Sequence, residues 1–85
     1  MQENPKQIVG LDIDQTDEGY IIYEPDNDRV HYLNPTAALI LELCNGTNSV
    51  TGIAELLQHA YKLPELPMQT VQDVLTQMKD EGLLQ

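Results

Sequence analysis

Apolar residues recur along this chain with two different periods, and the change of period divides it in half. Val9, Leu11 and Ile13 alternate with Gly10, Asp12 and Asp14, the period-two pattern of a strand with one wet face. Gln15-Thr16-Asp17-Glu18-Gly19 reads as a turn, and Tyr20-Ile21-Ile22-Tyr23 as a β-branched and aromatic strand that is apolar on both faces. Glu24 to Asp28 turns the chain again, and Arg29-Val30-His31-Tyr32-Leu33 forms a third strand. Loops this short favour an antiparallel meander, because parallel strands need longer crossovers.

From Asn34 onward the period is helical. Asn34 is a capping residue, Pro35 suits the first helical position, and Gly46 suits a left-handed exit. Between them Ala37, Ile40, Leu41 and Cys44 form one stripe, which Leu39 and Leu43 widen, so only Ala38, Glu42 and Asn45 are left to face water. A helix apolar almost all round must be covered on several sides, which makes this the central helix of the core. Spanning a membrane takes about 20 apolar residues, and no stretch reaches that length. Ser49 is a cap for a second helix, whose apolar side is expected at Ile53, Leu56, Leu57 and Ala60, with Tyr61 beside them. Leu63-Pro64-Glu65-Leu66-Pro67 separates it from a third, where Val71, Val74, Leu75 and Met78 repeat the spacing before Gly82. The expectation is an α+β fold: a three-stranded antiparallel sheet followed by three helices, one domain over residues 8–85 behind a loose lead-in of residues 1–7.

Charge narrows the partners. Fourteen acidic residues against four basic ones give a net charge of −10 over 85 residues. Nucleic-acid binders draw most of their non-specific affinity from Lys and Arg on phosphates, so this surface repels a phosphate backbone. Most of the acids read as solvated turns and strand edges; a sharper reading is a field that favours partners with basic segments. The single Cys44 forms no disulfide framework, and Met1-Gln2-Glu3-Asn4-Pro5-Lys6 has no signal-peptide character, which together point to a cytoplasmic location and no membrane association.

Candidate chemistry is sparse. His31 and His59 have no partner at metal-ligand spacing, so no metal is expected. Cys44 reads as a buried small hydrophobe rather than a nucleophile. Asp26-Asn27-Asp28 lacks the glycine and terminal acid of a calcium loop, and Asn45-Gly46-Thr47 is better explained as a helix exit than as a glycosylation site. No phosphate-binding glycine loop and no nucleophile–base constellation is present, so the reading is a non-enzyme without a cofactor. What remains is a sheet edge beside a helix face. An open edge can accept an added strand. Periodicity alone leaves open whether that edge takes a foreign peptide, the chain's own third helix or a second copy.

Arg29-Val30-His31-Tyr32-Leu33-Asn34-Pro35-Thr36-Ala37-Ala38, Ile40 to Gly46, Ser49-Val50, Ile53 to Leu57, Asp73-Val74-Leu75 and Gly82-Leu83-Leu84 together resemble the coenzyme PQQ synthesis protein D family, over roughly residues 8–84. Gly52 departs from the acidic residue common at that place, which bears on helix capping. The resemblance implies a winged helix-turn-helix-like fold and a peptide chaperone. Such a chaperone binds the leader of a ribosomally synthesised precursor and presents it to a radical S-adenosylmethionine enzyme, as in pyrroloquinoline quinone biosynthesis. It further implies that the leader adds beside the third strand, at Val30, His31, Tyr32 and Leu33, against a wall of Val71, Val74, Leu75 and Met78. The iron–sulfur chemistry would be the partner's. Two other readings stand beside it: a winged-helix regulator acting through protein contacts, and a structural homodimer that pairs its exposed edges.

Overall fold

The computed structural model describes residues 4–25 and 28–85. Three strands, β1 (Asp12–Gln15), β2 (Tyr20–Glu24) and β3 (Arg29–Leu33), precede three helices, α1 (Pro35–Leu43), α2 (Val50–Tyr61) and α3 (Met68–Asp80). The strands pair antiparallel in the order β1-β2-β3, so the expected meander is present. The α+β architecture of a three-stranded sheet followed by three helices is as the periodicity indicated.

Register assigns the two faces of the sheet. Ile13, Ile22 and His31 lie directly across from one another, as do Gln15, Tyr20 and Leu33, and Glu24 lies across from Arg29. Residues opposite each other share a face. This inner face meets the helices: Ile22 and Leu33 join Ile40, Leu41, Ile53, Leu57, Val71, Met78 and Leu83 in one core. Asp12, Tyr23 and Val30, then Asp14, Ile21 and Tyr32, lie on the outer face.

The central helix is capped as its sequence indicates. Asn34 Oδ1 accepts the Ala37 N–H at 2.8 Å, with Pro35 in the first turn. Gly46, just past the exit, adopts φ 86°, where a side chain would be strained. Ala38, expected to face water, is instead 4% exposed. β3, α2 and α3 all pack on α1, leaving Glu42 as its exposed position beyond the first turn. In α2, Ser49 Oγ accepts the Gly52 N–H at 3.0 Å, but the buried stripe is Ile53, Ala54 and Leu57. Leu56 and Tyr61 are each 46% exposed and Ala60 is exposed, contrary to the expected face. The helix has turned so that Ala54 faces the core, where its small side chain permits close packing.

Two more differences concern the start of the chain. The first strand begins at Asp12 rather than Val9, because Val9 and Gly10 turn, Gly10 at φ 86°; Leu11 packs on the core, while every residue of β1 is exposed. Residues 4–7 were expected within the loose lead-in, yet they are hydrogen-bonded to the body. Gln7 N–H donates to the Cys44 carbonyl (2.8 Å), Ile8 N–H to Leu83 (2.9 Å), Gly46 N–H to Pro5 (3.1 Å) and Gln85 N–H to Lys6 (2.8 Å). Helix α1 leaves its last carbonyls without intrahelical partners. This segment supplies donors there, and the Gln7 side-chain amide adds one to Leu41 at 3.2 Å. The Asp26-Asn27 part of the calcium-loop comparison lies outside the described residues.

Candidate functional site

β3 is an outer strand of the sheet, and among the described residues no strand pairs with its second rim. Alternate residues of an antiparallel strand direct their N–H and C=O groups away from the neighbour already bonded. Three features hold that rim in place. Five register pairs join β3 to β2. The Asn34 cap follows Leu33 directly, so the strand end and the start of α1 move as one piece. Gly19 lies so close to the Leu33 carbonyl that a Cβ there would collide with its oxygen.

The inner side of β3 carries a polar tie. His31 is buried, and its Nε2 lies 2.5 Å from Glu24 Oε2, itself buried. A hydrogen bond from a ring nitrogen to a carboxylate is of the charge-assisted kind, whatever its length. His31 Nδ1 lies 3.6 Å from Glu81 Oε2, just past the end of α3. That distance is too long for a hydrogen bond but brings the Glu81 carboxylate alongside the ring. β3, the end of β2 and the end of α3 therefore meet at one histidine.

The structure separates the eight residues implicated by the sequence into four environments. His31 and Leu33 face the core, and Val30 and Tyr32 face the other way, 48% and 78% exposed. Val71 and Met78 are fully engaged in the core, so they back the site without offering surface. Val74 is half-buried and stands two turns before Glu81, on the helix stripe that reaches His31. Leu75 lines a different groove, with Val50, Met68, Lys79 and Leu84. Of the eight, Val30, His31, Tyr32 and Leu33 thus lie on the strand that carries the open rim, and Val74 shares a helix stripe with Glu81, which meets that strand at His31. Sequence reasoning missed Glu24 and Glu81. Glu24 could have been found, since it continues the alternation of Ile22; nothing local marks Glu81.

The remaining reactive groups offer little chemistry. The Cys44 thiol is fully buried, and burial pushes its pKa up to about 11, so it stays protonated at neutral pH. No group of three or more His, Cys, Asp or Glu side chains among the described residues is placed to hold a metal ion. No helix among them is long and apolar enough to cross a membrane.

Two solved structures share this architecture. One, described as lasso peptide synthetase B1 complexed with the leader peptide, is 23% identical with a TM-score of 0.77, covering 96% of this chain and 98% of its own. The other is the solution structure of the PqqD truncation of Methylobacterium extorquens PqqCD, described as a functional and stand-alone recognition element for ribosomally synthesised and post-translationally modified peptides. It is 21% identical with a TM-score of 0.69, covering 95% of this chain and 87% of its own. No curated protein sequence matches. Residues 19–84, from the turn before β2 to the segment after α3, match the family described as Coenzyme PQQ synthesis protein D (PqqD), and the chain belongs to that family.

Proposed function

We propose that this protein is a non-catalytic recognition module that binds the leader of a ribosomally synthesised precursor peptide along the open rim of β3 and presents it to a modifying enzyme of the radical S-adenosylmethionine class. The observation that carries this reading is a strand edge that is both unpaired among the described residues and anchored on three sides. Family membership supports it, as do the leader-bound and recognition-element descriptions of the two structural relatives.

Strand addition divides recognition between backbone and side chains. Main-chain hydrogen bonds to the rim are worth about 0.5–1.5 kcal/mol net each and do not depend on sequence. Leader side chains would alternate: one set beside Val30 and Tyr32 on the outer face, the other beside His31, Leu33 and the Val74 side of α3. Leu75 belongs to this wall only if leader binding moves α3. The protein itself needs no cofactor for this task, and the chemistry rests with the enzyme. With a net charge of −10, regulation through DNA is disfavoured.

The test is a titration of isotope-labelled protein with a candidate precursor leader peptide. Shifts should cluster on residues 29–33 and on the Val74 side of residues 71–78, and β3 amide exchange should slow. Unchanged β3 exchange at saturating peptide would remove the reading. A mass that doubles with concentration in light scattering, with the rim protected before peptide is added, would make a second copy of the chain the occupant.

A further inference from the structure

The helices cover one face of the sheet and leave the other open. Its centre is a square of side chains: Ile21 beside Tyr32, and Tyr23 beside Val30. Tyr32 is the most exposed of the four, and Ile21 and Tyr23 are half-buried by their neighbours alone. Tyrosines around an aliphatic centre are typical of the buried middle of protein interfaces. A hollow at the Thr16–Gly19 turn adjoins this square, lined by Ile21 and Tyr32 with Glu18 at its rim.

The charge around the square has one sign. Asp12 and Asp14 lie on the same face by register, across from Tyr23 and Ile21. Asp28 accepts the Tyr23 hydroxyl at 3.1 Å at the opposite end of β2 from Glu18. All four cations are elsewhere: Arg29 shares the inner face with Glu24, Lys6 sits in the terminal segment, Lys62 ends α2, and Lys79 lies on α3. A second copy of the chain packed face to face would bring only acidic side chains to the rim of the contact, which like-charge repulsion disfavours.

We infer that the outer face of the sheet is a docking surface for a protein with an apolar centre ringed by Lys and Arg. On the leader-binding reading, from which this last step follows, that protein is the enzyme that receives the peptide. A leader strand added to β3 extends the same face, so a docked partner would meet Val30, Tyr32 and alternate leader side chains on one continuous surface.

The test uses a short amphipathic Leu–Lys peptide and its Leu–Glu counterpart, each titrated into the labelled full chain. The Leu–Lys peptide should shift Asp12, Asp14, Ile21 and Tyr23, none of which borders the β3 rim, and the Leu–Glu peptide should not. The exposed double variant D12N/D14N should weaken Leu–Lys binding roughly fivefold, as expected for losing two screened charge pairs. It should leave leader affinity at β3 unchanged. Shifts confined to the helices, shifts spread over every acidic residue, an unaffected double variant, or dimerisation through this face would each overturn the inference. Leader binding is scored separately by β3 amide exchange, so failure of one reading is distinguishable from failure of the other.

Discussion

The two edges of the sheet are built from opposite materials. At β1 every residue is exposed, two of the four are aspartates, and the strand packs chiefly on β2. At β3 two residues are buried against the helices, the end is fixed by a helix cap, and the middle is tied to Glu24 and lies near Glu81. Proteins blunt an unwanted edge with short length and charge, and β1 has both. An edge meant to be used needs the reverse, a backbone held in place before the visitor arrives, since ordering both partners at once costs affinity. On the proposed reading, the acidic residues of β1 are a guard and the buried residues of β3 are a foundation.

The contrast can be broken at several depths. Ile22 supports both edges at once, facing Ile13 on one side and His31 on the other, with no exposure of its own. Ile22→Ala should cost about 2–5 kcal/mol in urea unfolding and speed amide exchange in both outer strands. His31→Ala acts on one edge only. Losing its charge-assisted bond to Glu24 should cost about 1.5–3 kcal/mol and speed exchange in β3 while β1 is unaffected. Asn34→Ala should cost about 1 kcal/mol in thermal or urea unfolding, and Asn34→Asp should restore most of it, because either side-chain oxygen can take the Ala37 N–H. Smallest of all, Asp14→Asn should change stability by no more than about 0.5 kcal/mol and leave leader affinity unaltered. A large loss of leader binding there would mean the guard and the foundation had been assigned to the wrong strands.

What could be read from the sequence follows from how local each interaction is. Asn34 and Ser49 were recognisable as caps because each bonds an N–H only three residues ahead. The bounds of β3 were legible for a related reason: the strand runs without a loop into a helix whose first two residues are diagnostic. The direction of α2 was not, since whether Ala54 or Leu56 turns inward is settled by α1 and α3, not by α2's own spacing. The site divides the same way. The β3 rim could be named from a short run of residues, whereas the placing of Leu75 on a separate groove, and of Glu81 next to His31, depends on how α3 lies across the sheet.

Gln7 and Gln85, 78 positions apart, are joined by a hydrogen bond, with further bonds running alongside it. Closing so long a loop costs only slightly more entropy than closing a moderate one, because the penalty grows with the logarithm of length. The seam nevertheless has nothing to grip until α1 has delivered the Cys44 carbonyl and α3 has delivered Leu83. It therefore works as a gauge: these bonds are made only when sheet and helices have all reached their places, and a strand or helix that strays should be felt first where the beginning and end of the described chain touch.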